Sequence, residues 1–230
     1  MSKKPSLTGT CRHCKSPFAK SGMGKHLEAC PERQEWLQHG ERQKQLTRRR
    51  ILHLIVEGND LPQYWMHLEV PAAMTLTKLD GYLRRVWLEC CGHLSAFYIG
   101  DETYGNHADA EMGFKSMRAK LGDLVQPGDW FGYDYDFGTT TTLRLGVLSE
   151  RAGVLAKGRI EPMATNDPPD LRCECGESAT QVCTQCLFET DDCWFCDNCA
   201  AEHECGEEML LPNVNSPRVG MCAYGLGYDE

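Results

Sequence analysis

Apolar and polar positions alternate through the middle of the chain with the two-residue period of β-strands. The longest such run is WFGYDYDFGTTTTLRLGVL, at positions 130–148. Successive side chains of a strand point to opposite sides, so Asp134 and Asp136 are expected on one face. Tyr133, Tyr135 and Phe137 are expected on the other. Gly138 interrupts the alternation. The run therefore predicts two strands joined at a bend.

Shorter patterned segments lie on both sides of this run. Residues 51–58 and 63–70 alternate around the turn sequence NDLP and predict a hairpin. Leucines at helical spacing predict one main helix at 75–90 that packs on the sheet. Further strands are expected at 93–100 and 154–163, with a loop at 101–113. The sequence thus predicts an α+β domain at 51–166 with five or six strands in a largely antiparallel sheet.

Residues 1–34 have a different character, because they carry the motif Cys-x2-Cys-x11-His-x3-Cys. A tight turn can bring the first two cysteines together, and a helix places the last two residues, four apart, on one face. Four such donors suit a tetrahedral zinc ion, and the segment resembles zinc fingers of the Cys-Cys-His-Cys type. The predicted ligands are Cys11, Cys14, His26 and Cys30.

Residues 167–230 contain four more ligand pairs, which predict two further zinc ions and a total of about three. An iron–sulfur cluster is the alternative, but short pairs that include a histidine favour zinc. The pairs can be linked crosswise, as in the two-zinc cross-brace modules of which B-box domains are examples, or in sequence order. Cys193 and Cys222 are additional, and Cys193 could replace a ligand. The predicted ligands are Cys173, Cys175, Cys183, Cys186, Cys196, Cys199, His203 and Cys205.

The adjacent pair Cys90-Cys91 lies at the end of the predicted helix. Adjacent cysteines are joined by a link too short for easy disulfide or chelate geometry, and free cysteine behaves as a small apolar residue. The pair is therefore predicted to belong to the core.

Charge is distributed unevenly along the chain. Residues 1–50 contain 12 Lys or Arg against 4 Asp or Glu, whereas residues 167–230 contain 2 against 14. Residues 35–50 are rich in helix formers and predict a basic linker helix that could contact nucleic acid; the alternative is a solvated face. The predicted contact residues are Arg42, Lys44, Arg48, Arg49 and Arg50.

Composition indicates a globular protein of a reducing compartment. The 230 residues are 41% hydrophobic and 25% charged, and no apolar run approaches the roughly 20 residues of a membrane span. The sequence MSKKPSLTG has no apolar core of a signal peptide, so a cytoplasmic location is expected. There, the 14 cysteines are better explained as metal ligands than as disulfides.

The middle segment resembles a known family. The hairpin, the leucine-bearing helix, HLSAF at 93–97 and YDYDFG at 133–138 are together similar to the plasmid pRiA4b ORF-3-like family, also described as insertion-element passenger proteins. The resemblance covers about 51–166 and implies an α+β domain with no assigned activity. The family pattern has a second histidine at Ser95, and an aspartate, a tryptophan and a histidine at Thr139, Thr141 and Leu143. A polar site of that kind would persist here only as His93 and Asp136.

These patterns together favour a cytoplasmic, non-catalytic zinc protein that interacts with other molecules. Each predicted metal site has four protein ligands, whereas a catalytic zinc keeps one position open. The expected partners are nucleic acid at the N-terminal region and a protein at the C-terminal module, with no membrane. The alternative is a metal-dependent enzyme whose site would lie around His93, Asp134 and Asp136.

Overall fold

A computed structural model describes residues 7–42, 47–107, 113–155, 159–190 and 192–226. Within these ranges, ten strands form one large sheet and three form a small one. Neighbouring strands are antiparallel apart from one short parallel pair at the edge of the large sheet. The prediction of an α+β fold built on a mostly antiparallel sheet is confirmed.

The large sheet contains β1 (Thr8–Cys11), β2 (Pro17–Ala19), β3 (Arg49–Gly58), β4 (Trp65–Pro71), β5 (Ser95–Ile99), β6 (Glu102–Gly105), β7 (Lys115–Ser116), β8 (Trp130–Tyr135), β9 (Thr141–Gly153) and β10 (Glu161–Asn166). The small sheet contains β11 (Gln181–Cys183), β12 (Trp194–Phe195) and β13 (Leu210–Pro212). The helices are α1 (Lys20–Ala29), α2 (Pro31–Glu41), α3 (Leu76–Leu83), α4 (Cys186–Glu189) and α5 (Asp197–Ala201). The strand orders are β2-β1-β10-β4-β3-β9-β8-β5-β6-β7 and β12-β11-β13.

The predicted helix and the predicted strand pair lie against each other at the core. Helix α3 continues as a π-helix at Arg84–Leu88, and its Leu79, Leu83 and Trp87 are buried with aromatic residues of β8. Strand β8 ends at Tyr135 and β9 begins at Thr141, so the predicted bend lies between them. Asp136, the first residue after β8, has a φ of +66°. This left-handed conformation turns the chain away from the strand direction.

Two strand predictions were wrong in position. The predicted loop at 101–113 contains β6, because Thr103 and Tyr104 suit a strand and pair directly with β5. The predicted strand at 154–163 is displaced: β9 extends to Gly153, and β10 begins only at Glu161. In both places, the end of the strand depends on pairing with a neighbouring strand. That pairing cannot be inferred from one segment of sequence alone.

The N-terminal segment continues the large sheet. Strand β1 pairs with β10, and Met23 and Leu27 of α1 pack with Trp65 of β4. A Cβ at Gly9 would collide with the backbone oxygen of Thr165, so only glycine allows this close approach. The predicted boundary near residue 34 is therefore crossed by hydrogen bonds and by a shared apolar cluster.

The helix in this region is shorter than the linker helix predicted at 35–50, and it starts earlier in the chain. Helix α2 begins at Pro31, whose fixed φ suits the first helical position, and ends at Glu41. Arg49 and Arg50 belong to β3, where they lie opposite Gly153 and Ala152. Strand pairing thus overrides the helix propensity of this segment.

The C-terminal segment packs on the middle of the chain. Val182, Leu211 and Val219 belong to the same apolar cluster as the strands and helix of the middle segment. Asn166, the last residue of β10, accepts a hydrogen bond from the Trp65 backbone N–H and donates one to the Asn215 side chain at 2.7 Å. Among the residues the structure describes, no helix has the length and apolar character needed to span a membrane.

Candidate metal centres

Cysteine and histidine side chains gather in four groups within the described residues. In each group, four ligand atoms lie within 4.8 Å of one another. A tetrahedral zinc ion with Zn–S bonds of about 2.3 Å and Zn–N bonds of about 2.1 Å requires S···S separations of about 3.8 Å and S···N separations of about 3.6 Å. These lengths provide a test of each group.

The first group contains the four residues predicted in the N-terminal segment. Cys11 ends β1, and the turn after it is closed by a hydrogen bond from the Lys15 N–H to the Cys11 carbonyl. Helix α1 carries His26, whose Nε2 lies 3.4 Å from Cys14 Sγ, and Cys30 follows the helix end. Phe18 stacks on the His26 ring with centroids 3.6 Å apart, which fixes the ring orientation. The separation fits a shared tetrahedral ion.

The second group joins the first and third pairs of the C-terminal segment: Cys173, Cys175, Cys196 and Cys199. Cys175 Sγ and Cys196 Sγ are 3.7 Å apart. The backbone N–H groups of Cys175 and Cys196 lower the pKa of Cys173 to about 6. A thiol with that pKa is mostly thiolate at neutral pH, which is the form that binds metal.

The third group joins the second and fourth pairs: Cys183, Cys186, His203 and Cys205. Cys186 Sγ lies 3.4 Å from His203 Nε2 and 3.7 Å from Cys205 Sγ. Of the two pairings left open by the sequence, the structure has the crosswise one. Cys193 belongs to none of the four groups and is buried in the main apolar cluster.

The fourth group was missed by the sequence analysis. It contains Cys90, Cys91, His93 and Cys222, although the cysteine pair was predicted to be core and Cys222 to be additional. Cys90 is buried, but Cys91 is exposed, and its Sγ lies 3.5 Å from Cys222 Sγ. Gly92, between Cys91 and His93, has a φ of +79°, and His93 Nε2 lies 2.9 Å from Cys91 Sγ. The local signal was the ligand-rich tetrapeptide Cys-Cys-Gly-His, but its distant partner could not be inferred from spacing.

The residues of the predicted enzymatic alternative are only partly brought together. His93 Nδ1 lies 3.4 Å from Asp136 Oδ1. Burial raises the pKa of Asp136, but hydrogen bonds from Arg218 and the Gly138 N–H outweigh it and hold the pKa below its usual range. The Asp134 carboxylate instead accepts a hydrogen bond from the Thr142 hydroxyl at 2.7 Å. The two carboxylates therefore have separate environments.

Two of the five predicted nucleic-acid contact residues form ion pairs within the chain. Arg50 Nε lies 2.7 Å from a carboxylate oxygen of Glu150, and Arg48 lies 3.5 Å from Glu41. Arg42, Arg48, Arg49 and Arg50 are all exposed. Lys44 lies outside the described residues.

Comparison with known proteins gives a family for the middle of the chain. Residues 52–152 match the sequence model of the family described as Plasmid pRiA4b ORF-3-like protein. One solved structure, of a protein of unknown function called MM3350 from Methanosarcina mazei Go1, is 22% identical, with 52% of this chain and 69% of that chain covered and a TM-score of 0.41. No curated protein matches the chain.

Proposed function

Since residues 52–152 are a pRiA4b ORF-3-like domain, we propose that the protein is a cytoplasmic, non-catalytic zinc protein that interacts with other molecules through segments attached to that domain. None of the fourteen cysteines forms a disulfide, which suits zinc ligands in a reducing compartment. The three predicted ligand groups would each hold one zinc ion.

One observation carries this proposal: the twelve predicted ligands converge as three complete sets of four donors. Thiolate and imidazole donors favour zinc over harder ions such as magnesium. A set of four protein donors fills a tetrahedral zinc ion and leaves no position for a substrate, which is typical of structural zinc. Two of the three sets include a histidine, which further favours zinc over an iron–sulfur cluster.

The role of zinc in the C-terminal segment would be to supply folding energy. Its small sheet has strands of only two or three residues. Structural zinc contributes on the order of 10 kcal/mol per site at neutral pH, more than such short strands can provide. The metal would therefore stabilise the folded C-terminal segment, and with it the surface that contacts a partner.

The proposed partners follow from the charge of the two ends. The excess of Lys and Arg in residues 1–50 suits nucleic acid, and Arg42, Arg48, Arg49 and Arg50 are all exposed. The acidic C-terminal module repels a polyanion, so a protein is its proposed partner, and Phe188, which is 68% exposed, offers an apolar contact there. The enzymatic alternative has less support, because Asp136 is already held in an ion pair with Arg218.

The test is to count zinc by native mass spectrometry in protein purified without chelator. Cys14→Ser, Cys175→Ser and Cys205→Ser each remove one donor from a different group, and each variant should contain one zinc fewer than the wild type. Cys193→Ser is the matched control, since Cys193 lies outside the groups, and its zinc content should be unchanged. Equal zinc content in all five proteins would overturn the proposal.

A further inference from the structure

The fourth group has the dimensions of a metal site. Cys91 Sγ lies 3.8 Å from Cys90 Sγ and 3.5 Å from Cys222 Sγ, and Cys222 Sγ lies 3.6 Å from His93 Nε2. These three separations are close to the edges of a tetrahedron around zinc, about 3.8 Å for two sulfurs and 3.6 Å for sulfur and nitrogen. The fourth, 2.9 Å from Cys91 Sγ to His93 Nε2, would need to lengthen slightly on binding.

The histidine of this group is oriented by a carboxylate. His93 Nδ1 faces Asp136, so Nε2 points to the three sulfurs. Histidines that bind metals usually donate their other ring N–H to a carboxylate, which fixes both tautomer and ring orientation. Asp136 is in turn fixed by Arg218 at 2.7 Å. This arrangement is an observation independent of the clustering of thiols, and it also indicates a metal.

The backbone conformation of the C-terminal segment places Cys222 next to the other three ligands. Arg218 is fully buried and donates to Asp136, Thr139 and Thr141, which anchors the segment four residues earlier. Cys222 itself has a φ of +53°, a left-handed conformation that is unfavourable for residues other than glycine. Such a conformation persists where surrounding interactions determine it.

We propose that Cys90, Cys91, His93 and Cys222 bind a fourth zinc ion, which joins the end of the C-terminal segment to the pRiA4b ORF-3-like domain. The three thiolates and one imidazole are the donor set of a structural zinc site. Its ligands come from positions more than 120 residues apart, so this ion links two segments, whereas each ion of the other groups holds one. Zinc bound here would stabilise the docked position of the segment.

This zinc would also be the most accessible of the four. Two of its ligands, Cys91 and Cys222, are exposed, whereas each of the other groups has at most one exposed ligand. A chelator can therefore approach the ion without unfolding the site. Chelation should release this zinc before the others, and the segment after Arg218 should be released with it.

The experiment compares the full-length wild type with Cys91→Ser, Cys222→Ser and the control Cys193→Ser. Native mass spectrometry should show one zinc fewer in the first two variants and no loss in the control. Because Cys91 and Cys222 are exposed, replacing them leaves no cavity in the core. Amide hydrogen exchange should become at least tenfold faster in residues 219–226 of both variants, and in the wild type after mild EDTA treatment that removes a single zinc.

Failure of this inference is distinguishable from failure of the proposed function. If Cys14→Ser, Cys175→Ser and Cys205→Ser each lose one zinc while Cys222→Ser loses none, the fourth site is refuted and the other three remain. If Cys222→Ser loses zinc but exchange in residues 219–226 is unchanged, the proposed link to the segment is refuted. Loss of zinc together with faster exchange supports the inference.

Discussion

Replacing Arg218 with methionine tests how strongly the C-terminal segment is held by its buried ion pair. The guanidinium is completely buried and donates to Asp136 at 2.7 Å, to the Thr139 carbonyl at 2.9 Å and to the Thr141 hydroxyl at 3.0 Å. Methionine has a similar length but donates no hydrogen bond. Asp136, which is only 6% exposed, would then keep its charge without its cationic partner.

The expected loss is large because a buried charge is left unpaired. Removing one partner of a buried ion pair costs about 3–5 kcal/mol of unfolding free energy. Arg50→Met is the matched control, since Arg50 and Glu150 also approach to 2.7 Å, but their side chains are 43% and 42% exposed. An exposed pair contributes about 0–1 kcal/mol. The structure thus predicts very different effects from two similar distances.

Urea unfolding in the presence of saturating zinc measures the difference. With a slope of about 3 kcal/mol per molar urea, Arg218→Met should lower the midpoint by about 1 M or more, and Arg50→Met by about 0.3 M or less. Adding Asp136→Asn to Arg218→Met should recover part of the loss, because it removes the unpaired charge. Equal midpoints for Arg218→Met and Arg50→Met would refute the reasoning from burial.

Three further predictions concern pH, zinc and nucleic acid. Burial lowers the pKa of His53 to about 4 and that of His67 to about 3, so protons bind preferentially to the unfolded chain. Unfolding free energy should therefore fall by about 2 kcal/mol between pH 8 and pH 6, and by much less when both are leucine. Cys196→Ser should lose zinc and speed amide exchange throughout β11–β13 but not in β3 and β4, whereas Cys193→Ser should keep its zinc and change exchange much less. Zinc loss of the same size in both would overturn the ligand assignment. Alanine at Arg48, Arg49 and Arg50 together should flatten the log-log salt dependence of DNA binding by about 1 unit, because Arg48 and Arg50 already have carboxylate partners; an unchanged slope would remove this run from the proposed interface.

The sequence predicted those parts of the molecule whose determinants are local. Strands β3, β4, β8 and β9 follow from alternation, and α3 follows from the spacing of its leucines. The twelve residues of the first three groups follow from short spacings, because a turn or one helical turn brings each pair together. The sequence of one short segment is enough to predict each of these features.

The features that were missed depend on contacts between distant residues. Pairing of Gly9 with Asn166 places β1 in the large sheet. The sequence around either residue gives no sign of this pairing. Cys222 completes a ligand group with Cys91 across 131 residues, and the fully buried Arg218 lies four residues before it. Neither the addition of β1 to the large sheet nor the fourth ligand group leaves a short residue spacing that can be recognised in a single sequence.

The position of Asn166 bears on how the two ends of the chain can act together. Its backbone lies opposite Gly9 of the N-terminal segment, and its side chain contacts Asn215 of the C-terminal segment. Both segments therefore meet at the last residue of β10. A partner that contacts both would gain avidity from a fixed spacing, so its affinity would depend on matching that distance and not on the length of a linker.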